Sequence, residues 1–100
     1  MAIMSALMLK VRPGKEKDLL ELLKTVKKIV ERAGGTYAVH REVFGPQPNN
    51  IVATAAYPDW GHLGKVRTDP EYQKLTDRLR STSDPAAEAV TGAVFEDVAI

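Results

Sequence analysis

The segment "MLKVRPGKEKDLLELLKTVKKIVERAGG", residues 8–35, changes its hydrophobic period halfway along and thereby decides the fold. It contains the end of a run, residues 2–12, in which both alternating sets of positions are apolar, as expected for a strand covered on both faces. Pro13 and Gly14 end that strand. Apolar residues then recur every three or four positions, which predicts an amphipathic helix over 15–33 that ends at Gly34 and Gly35. Its apolar stripe comprises Leu19, Leu22, Leu23, Val26, Ile29, Val30 and Ala33.

Two strands are predicted next, "TYAVHREVF" at 36–44 and "IVATAAY" at 51–57, joined by the turn-rich "GPQPNN". If Phe44 faces Ile51 across this hairpin, Arg41 faces Thr54 on one face of the sheet. His40 then faces Ala55 on the other face. A bulge in the loop would shift this register and break the grouping.

The aromatic-rich stretch "YPDWGHLGKVRTDPEYQKL", residues 57–75, predicts two short helices. Asp59 suits the N-cap of the first, which would carry Trp60, Leu63 and Val66 inward. Asp69 and Pro70 suit the start of the second, whose apolar stripe includes Tyr72 and Leu79. "SDPAAEAV" at 83–90 repeats the Asp-Pro start and predicts a further helical turn, and "TGAVFEDVAI" at 91–100 predicts a last strand.

This order of elements predicts a single α+β domain over residues 1–100 with the ferredoxin-like βαββαβ arrangement. It consists of a four-stranded antiparallel sheet with helices on one face. Because helices cover only one face, the apolar character of both faces in 2–12 and 91–100 predicts that the other face meets a second copy of the chain. The alternative is a monomer that tolerates an exposed apolar patch.

Composition excludes several function classes. The net charge is +1, with 14 basic and 13 acidic residues well mixed, so neither nucleic acid nor a membrane is an expected partner. There is no cysteine, hence no disulfide, thiolate metal site or cysteine nucleophile. Two histidines are too few for an all-histidine zinc site, and no nucleotide-binding or metalloprotease motif occurs. The apolar start "MAIMSALML" is too short to span a bilayer and lacks a basic leader, which predicts a cytoplasmic protein.

The histidines are the candidate catalytic residues, because His40 and His62 are the side chains that titrate near neutral pH. His62 could equally be a solvated surface residue, and a buried His40 would need a partner such as Glu42. Arg41 is a candidate anion or carboxylate contact, with a structural ion pair as its alternative. The candidate ligand-binding aromatics are Tyr57, Trp60 and Tyr72, and the alternative for Trp60 and Tyr72 is core packing. Alanines cluster on the hairpin and leave volume either for close packing or for a flat hydrophobic ligand.

The segments "LKVRPGKEKDLLELL" and "YPDW…DPEYQKL" resemble the dimeric α+β barrel superfamily. Within it they are similar to the antibiotic-biosynthesis-monooxygenase (ABM) domains and the NIPSNAP-like proteins. The resemblance implies a ligand inside each protomer, between sheet and helices, and so adds Leu7 to the ligand-binding candidates. Heme-degrading members use an Asn, a Trp and a His where this sequence has Leu7, Val66 and Thr76. The resemblance therefore implies no heme, and we expect neither a cofactor nor a metal.

Two functions remain open at the level of sequence. One is a cofactor-independent enzyme of the monooxygenase, cyclase or isomerase type, in which a histidine moves a proton of a small hydrophobic or aromatic compound while Tyr57 or Tyr72 positions an oxygen. The other is a non-catalytic dimeric module that binds a small molecule or a partner protein.

Overall fold

The computed structural model describes residues 2–46, 49–79, 85 and 87–100, without the side chains of Glu88 and Ala89. Within these ranges four strands form one antiparallel sheet in the spatial order β2-β3-β1-β4. The predicted ferredoxin-like α+β fold is therefore confirmed. In chain order the elements are β1 (Ile3–Val11), α1 (Glu16–Arg32), β2 (Thr36–Arg41), β3 (Ile51–Tyr57), α2 (Trp60–Arg67), α3 (Pro70–Leu79) and β4 (Ala87–Glu96).

The long helix α1 forms as its hydrophobic period predicts. Its C-terminus closes where the backbone N–H of Gly34 donates to the carbonyl of Glu31 at 3.0 Å. Gly34 has a φ of +91°, a left-handed conformation that glycine adopts without steric cost. The predicted stripe packs on the sheet, and its buried members are Leu19, Leu22, Leu23, Val26, Ile29 and Val30.

Aspartates start both short helices, as the sequence predicts. The Asp59 carboxylate accepts a hydrogen bond from the backbone N–H of His62 at 3.0 Å, and Asp69 accepts one from Glu71 at 2.8 Å. These bonds satisfy donors that a helix N-terminus leaves unpaired. No helix in the described part of the chain is long and apolar enough to cross a membrane.

The inward position predicted for Trp60 is wrong. Leu63 and Val66 are buried in α2, whereas the Trp60 side chain is 53% exposed. At about 100° per residue, Trp60 lies roughly 90° around the helix from the midpoint between those two residues. It is also the first residue of α2, so little of the protein packs around it.

The predicted hairpin register is also wrong. Arg41 pairs with Ile51 and His40 pairs with Val52, three positions from the predicted register. The loop closes early, because the Glu42 N–H donates to Asn50 and the Asn49 N–H donates back to Glu42, both at 2.8 Å. Strand β2 consequently ends at Arg41, and His40 and Arg41 lie on opposite faces of the sheet.

The last strand begins earlier than predicted. Residues 87–90, assigned to a helical turn from the sequence, pair with β1 through contacts such as Val11 with Ala87. The Asp-Pro start of that predicted turn lies largely outside the described residues. The strand ends at Glu96, so Val98 and Ile100 follow it and are exposed.

The two faces of the sheet differ in their cover. Helices pack on the face that carries Ile3, Leu9, Ile51 and Tyr57, all of which are buried. The opposite face, called the open face below, is not covered by any described element. Its three central cross-strand rows are Thr36-Ala56-Met4-Phe95, Ala38-Thr54-Ala6-Ala93 and His40-Val52-Met8-Thr91.

Candidate functional site

A cavity of about 530 Å³ lies between the helix-covered face of the sheet and the three helices. The sheet forms one side of the cavity, and its strands leave space there because they present small residues, including Ala53, Ala55 and Gly92. Helices α1 and α2 supply apolar walls, among them Val26, Val30, Leu63 and Val66, and α3 adds Tyr72 and Thr76. The volume falls within the range of roughly 300–1,000 Å³ that is usual for small-molecule sites.

Three tyrosines contribute to the lining, one each from β2, β3 and α3. They are Tyr37, Tyr57 and Tyr72, and they are all the tyrosines of the chain. Burial, followed by the phenols of Tyr72 and Tyr57, raises the pKa of Tyr37 well above its ordinary 10.0. Burial and then Tyr72 raise the pKa of Tyr57 to about 12, although a hydrogen bond with Ser5 and the charge of Arg67 act against that rise. Tyr37 and Tyr57 therefore remain protonated hydrogen-bond donors at neutral pH.

The Tyr37 hydroxyl is the unusual member of this group. It is buried, and it has no hydrogen-bond partner among the described residues. An unsatisfied buried donor costs roughly 1–3 kcal/mol, so it marks a position where a bound molecule can gain by presenting an oxygen. Tyr57 differs, since its hydroxyl already has Ser5 as a partner.

Arg67 brings the positive charge of the cavity lining. It is the last residue of α2, it is exposed, and its charge reaches Tyr57 strongly enough to act on the pKa of that phenol. Ser5, Thr76, Arg67 and the tyrosines are the polar side chains of the described lining, which contains no carboxylate and no imidazole. In the described part of the chain, no three His, Asp or Glu side chains are grouped closely enough to hold a metal ion.

The structure brings three of the sequence candidates together. Leu7, Tyr57 and Tyr72 all line the cavity, from β1, β3 and α3 respectively. Trp60 lies outside the lining. Arg41 is also outside it, at the end of β2, where its guanidinium donates to the Glu16 carboxylate at the start of α1. That contact is the structural ion pair that was the alternative reading of Arg41.

Neither histidine lines the cavity. His40 is on the open face, with its Nε2 3.4 Å from the Thr54 hydroxyl. His62 is half-buried beside α1, and its Nδ1 lies 2.7 Å from the Asp59 carboxylate. The hydrogen bonds from the His62 side chain and backbone lower the pKa of Asp59.

Sequence reasoning missed Tyr37 and Arg67. Tyr37 has the same parity as Val39 and Arg41 along β2, but that parity could not be assigned to the helix-covered face from the sequence, because the hairpin register was predicted wrongly. Arg67 carries no comparable signal. Its position on the cavity depends on where α2 ends, and a lone arginine at a helix C-terminus is common on protein surfaces.

Comparisons with solved structures identify the fold. No family model matches this chain, and no curated protein matches its sequence. SnoaB from Streptomyces nogalater, a cofactor-independent oxygenase, is similar with a TM-score of 0.77 at 14% identity, over 99% of this chain and 95% of that one. A candidate antibiotic biosynthesis monooxygenase from Deinococcus radiodurans has a TM-score of 0.76 at 16% identity, over 100% and 95% of the two chains.

A NIPSNAP-like domain protein from Burkholderia xenovorans is similar as well, with a TM-score of 0.64 at 15% identity, over 97% and 85% of the two chains. The ABM-like and NIPSNAP-like resemblance drawn from the sequence is thus confirmed as a likeness of fold. At these identities it extends no further than the fold.

Proposed function

We propose that this protein is a small homodimeric enzyme of the cofactor-independent oxygenase type. Its substrate is an aromatic compound in which a carbonyl group is conjugated through the ring system with an acidic CH₂. The observation that carries the proposal is the buried hydroxyl of Tyr37, which has no hydrogen-bond partner among the described residues and lines a cavity of about 530 Å³. The fold shared with SnoaB, which is named as a cofactor-independent oxygenase, supports the reaction class.

The tyrosines suit an enolisable ketone. A phenol that stays protonated donates to a carbonyl oxygen, and the bond strengthens when that oxygen gains negative charge as the conjugated CH₂ loses a proton. Arg67 adds a positive charge at the same cavity, which favours the enolate further. Tyr37 is the stronger candidate donor, because Tyr57 would have to share its hydroxyl with Ser5.

The reaction then relies on the electron-rich enolate. The ring CH₂ that is conjugated with the carbonyl loses two hydrogens, molecular oxygen accepts the electrons, and one oxygen atom enters the ring as C=O while the other leaves as water. Molecular oxygen is thus the oxidant, and the proposal invokes no cofactor or metal. His40 and His62, the histidines predicted to move the proton, do not line the cavity. In this proposal the CH₂ of the substrate is acidic enough to lose its proton to solvent that enters past Arg67.

The homodimer belongs to the same proposal. The open face exposes Met4, Met8 and Phe95 at 41%, 40% and 50% of their surfaces. Large apolar side chains grouped on an uncovered sheet face favour association, since contiguous apolar patches are uncommon on monomers. The partner in this proposal is a second copy of the chain, because a homodimer requires no other protein.

Oxygen consumption tests the enzyme. An anthrone, a tricyclic ketone with an acidic CH₂, is mixed with the purified protein and followed with an oxygen electrode and by absorbance of the quinone product. We expect catalysed uptake of one O₂ per quinone, reduced at least about tenfold in Tyr37→Phe, because a donor to the developing enolate is worth that much or more. Tyr57→Phe is the matched control and should lose less.

Two other outcomes would overturn the proposal. Tight binding of the anthrone without oxygen uptake would instead make the protein a non-catalytic binding module. Uptake that is unchanged in Tyr37→Phe would remove the residue on which the proposal rests.

A further inference from the structure

Two polar groups of the cavity lining lack a partner in the described part of the chain. One is the Tyr37 hydroxyl, which has no hydrogen-bond partner there. The other is the Arg67 guanidinium, which has no carboxylate within ion-pair distance among the described residues. Other lining hydroxyls differ, since Tyr57 shares a hydrogen bond with Ser5, and Thr76 donates to a carbonyl of its own helix at 3.0 Å. A ligand can therefore gain a polar contact at Tyr37 and at Arg67.

Two other arginines of the chain form ion pairs within the protein. The Arg41 guanidinium donates to the Glu16 carboxylate, and Nη2 of Arg32 lies 3.5 Å from Oε2 of Glu71. Arg67, in contrast, lines a cavity whose described lining contains no carboxylate. The protein therefore leaves the charge of Arg67 to solvent or to a molecule that enters the cavity.

The backbone that carries Arg67 is fixed, although its side chain is exposed. The side-chain amide of Gln73, on α3, donates to the Arg67 carbonyl at 3.1 Å. The N–H and the hydroxyl of Thr68 both donate to the Gly64 carbonyl, at 3.0 and 2.8 Å, and so close the C-terminus of α2. The guanidinium thus lines the cavity from a helix end that is held on both sides.

Arg67 and Tyr37 lie at different depths of the cavity. The Tyr37 hydroxyl is buried, whereas the Arg67 side chain is exposed at the opening. The charge of Arg67 acts on the pKa of Tyr57, while burial and the phenols of Tyr72 and Tyr57 act on the pKa of Tyr37. Arg67 is therefore closer to Tyr57 than to Tyr37. A molecule that contacts both Arg67 and Tyr37 has one polar end inside the cavity and another at the opening.

We propose that Arg67 binds a carboxylate of the substrate at the opening of the cavity while the ketone oxygen of the same molecule lies at Tyr37. This inference rests on the proposed function and narrows its substrate class to aromatic ketones that carry a carboxylate on an outer ring. The planar guanidinium can donate two parallel N–H bonds to the two carboxylate oxygens. The two contacts together would fix the direction in which the ring system enters.

A carboxylate fits this position better than a phosphate. The described lining has one cationic side chain, Arg67, and no second Lys or Arg beside it. A phosphate monoester carries close to two negative charges at neutral pH, so a single arginine would leave part of that charge unpaired. A carboxylate carries one charge, which the guanidinium matches.

The ion pair would assign Arg67 to selection and orientation of the substrate. A bound carboxylate leaves less of the Arg67 charge for the developing enolate, so Tyr37 remains the main donor to the reacting oxygen. Arg67 is then a specificity-determining residue, separate from the reacting atoms.

Calorimetry with an unreactive ligand pair tests the inference independently of oxygen uptake. The ligands are 9-fluorenone-2-carboxylate and its neutral carboxamide, which are aromatic ketones without a CH₂. We expect the parent chain to prefer the carboxylate by about fivefold at low salt, with the preference shrinking as salt rises, because the pair is partly exposed. Arg67→Gln should abolish the preference. Arg78→Gln is the matched control, since Arg78 is exposed on α3 outside the lining and should leave the preference unchanged.

Three results would overturn the carboxylate site. They are equal affinity of the parent chain for the two ligands, a preference that survives Arg67→Gln, and an equal loss in Arg78→Gln. The proposed enzyme fails separately, because a carboxylate preference without oxygen uptake would keep the Arg67 site and remove the reaction. Oxygen uptake without a carboxylate preference would keep the reaction and remove the site.

Discussion

The ring of Tyr57 lies directly against the backbone of Gly35. A Cβ built on Gly35 would come within 2.8 Å of the Tyr57 ring and 2.9 Å of Val30. Glycine is therefore required at this point for β2 to approach β3 and α1 closely enough to hold Tyr57 in the cavity wall. The second glycine of the pair that ends α1 thus has a role in placing the candidate site.

Gly35→Ala should destabilise the protein by about 1–3 kcal/mol, since the added methyl must displace the Tyr57 ring or Val30. Chemical denaturation measures this change. Gly64→Ala is the control of opposite sign, because a Cβ at Gly64 meets nothing within 4 Å and alanine favours a helix by up to about 1 kcal/mol. Equal stability of Gly35→Ala and the parent chain would show that the Tyr57 ring and Val30 move aside without a cost in free energy.

The phenols should control stability at alkaline pH. The pKa of Tyr57 is raised to about 12 in the folded protein, from 10.0 in an exposed chain. Below pH 10 the folded and the unfolded state both hold the Tyr57 proton, so the contribution of the protonated phenol to the free energy of unfolding is fully present. As the pH rises from 10 to 12 the unfolded state loses the proton first, so the free energy of unfolding should fall.

Absorbance of tyrosinate near 295 nm follows this titration directly. In the folded protein Tyr37 and Tyr57 should ionise well above pH 10, and after denaturation all three tyrosines should ionise together near 10. Tyr57→Phe should remove part of the alkaline loss of stability. A single native transition of three tyrosines near pH 10 would contradict the buried positions of these phenols.

Neighbouring alanines on β3 should separate the two proposed surfaces. Ala55 is buried and lines the cavity, whereas Ala56 is exposed on the open face. Ala55→Leu should weaken binding of an aromatic ligand by about tenfold or more and leave the dimer intact. Ala56→Leu should do the reverse, because Ala56 lies on the open face through which the proposed homodimer packs. Calorimetry and sedimentation on both variants check this, and identical effects on the two readouts would refute the two-surface account.

Much of the fold could be predicted because its signals are local. The stripe of α1, the aspartates before α2 and α3 and the both-sided apolar character of β1 each follow from a few neighbouring residues. The hairpin register could not be predicted, since it depends on how Glu42 closes on Asn49 and Asn50 across a loop whose length permits several closures. That single shift of three residues decided the faces of His40 and Arg41.

The candidate site was only half predictable for the same reason. Leu7 was named from the family resemblance, and Tyr57 and Tyr72 were named from the aromatic-rich segment 57–75. Tyr37 lies on the strand with the uncertain register, and the lack of a partner for its hydroxyl within the described part of the chain can be seen only once the surrounding residues are in place. Trp60 was misplaced because two following positions, Leu63 and Val66, set the buried side of a helix too short to have a strong period.

The segment 57–75 should be the mobile wall of the cavity. Helix α2 has two glycines, Gly61 and Gly64, and a break at Asp69-Pro70 separates it from α3. We expect the amides of residues 60–72 to exchange with solvent faster than those of α1, and to slow when an aromatic ligand binds. Protection equal to that of α1 in the free protein would make this segment a rigid part of the core.

The most direct test of the central claim is the affinity of the protein for an aromatic ketone compared with the same ring system lacking the carbonyl oxygen. Calorimetry on the parent chain and on Tyr37→Phe gives the four values needed. Our account predicts that the parent chain prefers the ketone by about tenfold or more and that Tyr37→Phe loses most of this preference, because the Tyr37 hydroxyl donates to the carbonyl. An equal preference in both proteins, or none in the parent chain, would contradict it.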